Sequence, residues 1–394
     1  MHSRMFNKCP LVLVAVCLMA GIVVASYVLL PIPVLPIFVA MVAIACLLHK
    51  YGRVQSAMIL VCCLLLGMLL MQRHLSQPSG MWGEERLERC RVFFLQERSH
   101  LLKHLSDAGL DGEAYAVVAA MSLGDKSALT HEVKNAYAVS GASHVLALSG
   151  LHMGIIYMLL SFFLPRRRWP AVSQLLLLLA MWTFVFLVGL PVSAVRAAVM
   201  LSVYALLSLG HRDRMSVNTL AFAAIMILMW RPDTLFDISF QLSFMAVWSI
   251  LVFVPLLERL VPAEYLMSHR CVKWLWGLVT VSCAAQLGVA PLVAYYFGCF
   301  PTYFLLTNFV VIPTAFVILL LALLSWFSSS FVHLLLLIVQ GLNAVLFWIA
   351  SLPGASIDGL HPSVLQVVLV YVLMLCGYLL IERIIPIVVW KPSK

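Results

Sequence analysis

Charge is what this chain of 394 residues has least of: Asp, Glu, Lys and Arg together make up 10% of it, against 63% hydrophobic residues. With a mean hydropathy of +1.05, that scarcity excludes an ordinary soluble globular domain. Metal-binding patterns are also missing. There is no Cys-x-x-Cys, no Cys/His ligand spacing and no His-x-His-x-Asp-His, and His131-Glu132 lacks a second His at the fourth place after it. The sequence therefore offers no ground for a zinc finger, a zincin or a metallo-nuclease, and no cofactor or metal ligand set is expected. Of the ten cysteines, Cys17, Cys46, Cys62, Cys63, Cys283 and Cys376 fall in apolar runs, where a thiol behaves as a small hydrophobe. Cys90 and Cys299 are the two placed to meet an oxidising compartment, and the sequence does not establish a disulfide between them. No internal repeat or low-complexity tract stands out.

What is present in abundance is long apolar stretches. Runs of 17 to 25 residues mark membrane spans, and they fall near 11–30, 34–49, 56–72, 143–164, 170–189, 192–210, 216–230, 237–256, 274–297, 301–326, 332–352 and 363–381. The fold class expected is an all-α polytopic membrane protein of about 12 transmembrane helices. The run at 11–30 follows Arg4 and Lys8 but is long enough to span, so it reads as a retained anchor rather than a signal peptide.

The formal net charge of +9 follows the bias of Lys and Arg toward cytoplasmic loops. With both termini cytoplasmic, the inside carries Arg4, Lys8, Lys50, Arg53, Arg166, Arg167, Arg168, Arg212, Arg214, Arg259, Arg270, Lys273, Arg383, Lys391 and Lys394. The short outside loops then carry only Arg231. One long hydrophilic segment, 73–142, falls on the extracytoplasmic side. Within it Leu87, Cys90, Phe94, Leu101 and Leu105 recur at helical spacing beside Arg86, Arg89, Arg91, Arg98 and Lys103, as in an amphipathic helix lying on the membrane or covering the bundle. Further helices are expected at 113–123 and 130–139; Thr130 lacks the Glu of a capping box, and Asp125 is placed to cap locally.

The chemistry-bearing residues gather where the pattern demands spans. In Gly141-Ala-Ser-His-Val-Leu-Ala-Leu-Ser-Gly-Leu-His-Met-Gly154 two histidines, two serines and three glycines lie at membrane depth, and Ser193, Arg196, Asp237, Gln241, Gln286 and Asn308 follow in later spans. Polar groups there are costly unless they face protein or water. Arg196 lies about one and a half turns into its helix, ~7 Å by helix rise, and needs a carboxylate or carbonyl; Asp237 is the candidate. Its alternative is to snorkel to the interface as an anchor. His144 and His152 are eight apart, about 80° out of alignment on an unbroken helix, and two such ligands do not make a metal site. Ser149 and His152 are three apart, a spacing open to a Ser–His nucleophile pair or to a structural contact. Gly150 and Gly154 form a Gly-x-x-x-Gly, open to tight helix packing, while 141–154 also reads as a broken or re-entrant segment bordering a pathway.

These residues resemble the transmembrane region of the ComEC competence-protein family. The pieces are Leu123-Gly-Asp-Lys-Ser127, the 141–154 element, Pro191 through Arg196-Ala-Ala-Val-Met200, Arg231-Pro-Asp-Thr-Leu-Phe-Asp-Ile-Ser-Phe-Gln-Leu-Ser-Phe244 and Asn308-Phe-Val-Val-Ile-Pro313. The resemblance implies an inner-membrane channel for single-stranded DNA in natural transformation, with Asp125, His144, Ser149, Gly150, His152, Arg196, Gln241 and Asn308 on the path or its gate and no catalytic residue. It also implies an extracytoplasmic DNA receptor and a cytoplasmic helicase as partners, the lipid bilayer as surroundings, and a homo-oligomer. The OB-type and metallo-β-lactamase-like domains common in the family are not matched here, so the resemblance implies the channel module. The divisions expected are three spans to residue 72, a short amphipathic segment over 73–112, a channel core over 113–320 and C-terminal helices beyond. Two other functions fit the residues alone: a secondary transporter or flippase for a smaller anionic solute, and an intramembrane serine hydrolase.

Overall fold

The computed structural model describes residues 10–27, 34–48, 50–76, 84–162, 170–209 and 217–389. Arg4, Lys8, Arg166, Arg167, Arg168, Arg212, Arg214, Lys391 and Lys394, on which much of the charge asymmetry rests, lie outside the described residues. The described chain is built from helices α1 (Pro10–Tyr27), α2 (Val34–Leu47), α3 (Gly52–Ser76), α4 (Glu84–Asp107), α5 (Gly112–Leu123), α6 (His131–Val139), α7 (Ser143–Leu146), α8 (Gly150–Phe162), α9 (Pro170–Leu187), α10 (Val192–Leu209) and α11 (Val217–Trp230). After a 3₁₀ turn, Pro232–Phe236, come α12 (Ile238–Leu257), α13 (Ala263–Ser268), α14 (Arg270–Phe297), α15 (Phe304–Leu324), α16 (Ser329–Ser351) and α17 (Val364–Val389). A two-stranded antiparallel ribbon pairs β1 (Cys299–Pro301) with β2 (Ser356–Asp358), with Phe300 opposite Ile357. It ties the α14–α15 turn to the α16–α17 connection.

Eight of these helices are long and apolar enough to cross a membrane. The other four expected spans are the shorter apolar helices at 34–47, 150–162, 192–207 and 217–230. The span expected over 143–164 is not one helix. It breaks into the single turn α7, an extended stretch and α8, because Gly141 and the Ser149 cap described below stop and restart the ladder.

The largest core forms where α5 is wrapped by α15 and α16. Ala116, Val117, Val118, Ala120 and Met121 are all buried there, against Val311, Ile318, Leu335, Leu342 and Leu346. An apolar 12-residue helix buried among two spans is thus part of the bundle. Length alone hides this in the sequence, since ~18 Å of helix cannot cross a bilayer.

The amphipathic helix α4 packs through Phe94, Arg98, Leu101 and Leu105 rather than lying free. Phe94 meets Phe186 at 5.7 Å between ring centroids, and His104 stacks on Trp326 at 4.3 Å and 10°. Cys90 is exposed, and it and Cys299 are free thiols. Arg98, expected on the polar face, turns inward because Asp125 and the carbonyl of Val188 give it partners there. Thr130 caps α6 without a Glu, accepting from the Val133 N–H at 3.3 Å.

Helices α1 and α3 cross at glycine on both sides. A Cβ on Gly21 would stand 2.0 Å from the Leu64 carbonyl oxygen, and one on Gly67 2.2 Å from that of Leu18. A second close crossing joins α12 to α14, where Gly288 lies against Ser249, whose hydroxyl donates to the carbonyl of Ala284 at 2.6 Å. The expected Gly150/Gly154 packing motif is not such a crossing: a Cβ on either would meet nothing within 4 Å.

Candidate translocation site

The interruption in the bundle begins where α6 ends. Gly141 turns the chain at φ +86°, a left-handed conformation that glycine adopts without penalty, and the Ala142 N–H closes the turn on Tyr137 O at 2.7 Å. After the single turn α7, Ala147 is extended (φ −102°, ψ 135°), Leu148 is buried, and α8 starts at Gly150. Backbone outside a helix at membrane depth needs partners for its polar groups. Two neighbouring helices supply them: Thr307 of α15 donates to Ser140 O at 2.7 Å, and Ser193 of α10 donates to Leu148 O at 2.5 Å.

Ser149 and His152 then start α8. The Ser149 N–H reaches back to His152 Nδ1 at 3.4 Å, and the Ser149 hydroxyl lies 3.0 Å from the same nitrogen. Since Nδ1 accepts, the ring carries its proton on Nε2, which is buried with no hydrogen-bond partner. The first of these bonds is one half of a capping box, with His in the place usually taken by Glu or Gln, while the Ser149 hydroxyl lies on the ring. Among the described residues no carboxylate meets the ring at Nε2. His144 Nδ1 donates to Gly141 O at 3.1 Å and so closes α7 on the turn before it. Gly150 is exposed, and the space over its Cα is open.

A second polar group gathers around Arg196 of α10. Arg196, 3% exposed, does not snorkel: its Nη1 stands 3.6 Å from Asp237 Oδ2, while Nε and Nη1 lack hydrogen-bond partners. Asp237 is also the N-cap of α12, accepting from the Ser239 N–H at 3.0 Å. One turn on, Gln241 donates to Leu235 O at 3.1 Å and accepts from the Tyr296 hydroxyl of α14 at 2.7 Å. At the mouth of this group Arg231 meets Asp233 at 2.7 Å, and His74 of α3 approaches Asp233 at 3.7 Å. The hydrogen bond to Asp233 holds the Arg231 guanidinium above its ordinary value. Burial pushes the Asp233 carboxyl up, but the bond and charge of Arg231 more than offset this and hold it low.

Ser149, Gly150 and His152 are therefore brought together with His144 along one interrupted segment, while Arg196 pairs with Asp237 and Gln241 stands one turn further on, held by Leu235 and Tyr296. Ser193 and Arg196, three apart on α10, link the two groups. Asp125 stands apart: it pairs with Arg98 at 3.3 Å and accepts from the Ser127 N–H at 3.1 Å, which makes it a tie between α4 and the α5–α6 turn. Asn308 follows Thr307 on α15, its Oδ1 buried without a partner. Sequence reasoning missed Thr307, Tyr296, Arg98 and His74, because each acts through a partner on a distant helix. Among the described residues no group of three His, Cys, Asp or Glu is placed to hold a metal ion.

The family model described as Competence protein matches residues 121–384, which covers the interrupted segment and both polar groups. The chain is 29% identical to ComE operon protein 3 of Bacillus subtilis (strain 168) over 311 residues, which is 75% of this chain and 38% of that protein. It is 30% identical to an uncharacterized protein of Aquifex aeolicus (strain VF5) over 228 residues, 58% of this chain and 50% of that one. The chain spans half or less of the length of these relatives. No solved structure matches it. With the family's match running from the buried α5 to α17 and so over most of the chain, this multi-pass membrane protein belongs to the competence protein family.

Proposed function

We propose that the chain forms a conduit through which single-stranded DNA crosses the bacterial inner membrane during natural transformation. The observation that carries this reading is the interrupted segment Ser140–Gly150, set against the first turns of α10 and α15, with its Leu148 and Ser140 carbonyls satisfied by Ser193 and Thr307 and with Gly150 left open. Irregular backbone of this kind is tolerated at membrane depth where it is enclosed by protein or lines an aqueous path. A polyanion needs hydrogen-bond donors and cations along such a path. His144, Ser149, Gly150 and His152 form one wall of it, and Arg196, Gln241 and Asn308 contribute donors beside it, with Asp125 holding α4 in place.

In this reading both termini are cytoplasmic, residues 113–320 form the channel core, and the segment before them faces outward. An extracytoplasmic protein delivers the DNA and a cytoplasmic helicase draws it in, since so few cations line the spans that the conduit itself does not pull. Copies of the chain assemble in the bilayer. The conduit makes and breaks no bond.

The test is uptake of labelled DNA by competent cells lacking the gene, with and without the wild-type copy. The reading expects DNA held outside the inner membrane in the null strain and import restored by the gene. Equal import in both strains would leave transport of a smaller anion as the better function.

A further inference from the structure

We propose that Arg196 is an anion-binding site whose resting occupant is the carboxylate of Asp237, and that a backbone phosphate of the translocating strand takes Asp237's place. The phosphate as ligand rests on the function proposed above; the site itself rests on geometry. A guanidinium brings five N–H donors in a fixed fork. Arg196 is 3% exposed, and neither its Nε nor its Nη1 has a hydrogen-bond acceptor. Asp237 Oδ2 at 3.6 Å is too far for an N–H···O bond. It neutralises the charge and leaves the Nε and Nη1 donors unfilled.

A phosphodiester, with two anionic oxygens matched to the fork, would satisfy what the carboxylate does not. Asp237 can leave at small cost, because its Oδ1 is already held at 3.0 Å by the Ser239 N–H at the start of α12, where a negative charge is favoured. The exchange would not stay local. Ser193, one turn before Arg196 on the same helix, holds Leu148 O in the interrupted segment, so a shift of the first turns of α10 is passed directly to the proposed path. The pair is then a latch: closed on Asp237, released by the strand.

The experiment uses the full chain in lipid nanodiscs and a short fluorescein-labelled oligothymidylate, with binding measured over a range of salt. Asp237→Asn is expected to bind roughly tenfold tighter than wild type, having lost the competing ion pair. Arg196→Ala is expected to bind more weakly and to lower the slope of log affinity against log salt by about 0.7, the value for one phosphate contact on a single strand. In the Arg196→Ala background, Asp237→Asn should have no effect. The charge-swapped pair Arg196→Asp with Asp237→Arg controls for folding. A purely structural ion pair would give back wild-type binding and salt slope in the swap, whereas the latch requires the lower slope to persist.

Where the oligonucleotide binds, tightening by Asp237→Asn that does not depend on Arg196, or binding that Asp237→Asn does not tighten, would overturn the site. If inorganic phosphate protects Arg196 of the Asp237→Asn variant from a guanidine-directed reagent while no variant binds the oligonucleotide, the anion site stands and the DNA reading falls. If all variants bind the oligonucleotide alike, the DNA reading stands and the latch falls.

Discussion

Replacing Gly67 by leucine is expected to leave little or no protein in the membrane. At the α1–α3 crossing, a Cβ on Gly67 would stand 2.2 Å from Leu18 O, and the reciprocal Gly21 site is tighter still. Both obstacles are backbone, so no side chain can move aside, and the helices must part by more than an ångström. Overpacking of a close-packed contact costs about 1–3 kcal/mol even where repacking is possible. Inside a bilayer the loss is compounded, because close van der Waals contact is what holds helices together there. The damage would spread: Leu18 and Ile22 of α1 pack in one cluster with Ala224 and Leu228 of α11 and Phe240 of α12, next to Asp237. Membrane abundance and melting of the detergent-solubilised protein check this, with Gly67→Ala falling between wild type and Gly67→Leu. Equal abundance and melting for all three would mean that the crossing is not as close as described.

Replacing His152 by leucine is expected to cut DNA import by tenfold or more, whereas His152→Gln should keep most of it. The ring accepts the Ser149 N–H at the start of α8 and is fully buried. Leucine leaves that donor without a partner, at a cost of about 1–3 kcal/mol for a buried group. Gln at the third helical position serves the same capping box. The comparison also separates capping from catalysis. A Ser149 nucleophile activated by His152 would be lost in both variants, so import that survives in His152→Gln and fails in His152→Leu speaks for the cap. Import lost equally in both would speak against it.

Much of the fold could be read from the sequence because apolar run length and membrane thickness are linked directly. The expected spans at 170–189, 237–256 and 332–352 correspond to described helices for that reason. What could not be read is packing at a distance. The burial of α5 against α15 and α16 depends on partners some 200 residues away, and a run too short to span gives no sign of it. The glycine crossings were hidden because the obvious motif, Gly150 and Gly154, faces open space, while Gly21 and Gly67 find each other across two helices.

The site was partly legible. A buried Arg demands an acid, and Asp237 is the one it meets. The break near 141–154 followed from its glycines and polar groups. Which of two roles Ser149 and His152 play was not decided by their spacing, because three residues on a helix serve a capping box and a nucleophile pair equally. Both the Ser149 N–H and its hydroxyl lie within reach of the same ring nitrogen, so the His152 variants described above are what separate the two roles. Arg98 was misplaced because the period of α4 puts it near the edge of the apolar stripe, and only the approach of Asp125 turns it inward.

Whether the interrupted segment lines the path proposed for DNA is tested most directly at Gly150. Its position is exposed and a Cβ there meets nothing within 4 Å, so Gly150→Cys, with the native cysteines replaced, should fold and import DNA normally. A membrane-impermeant, water-soluble thiol reagent should then label it and block import, and DNA present in transit should protect the thiol. If Gly150→Cys imports DNA but remains unlabelled, or is labelled while import continues at its full rate, the segment does not line the path.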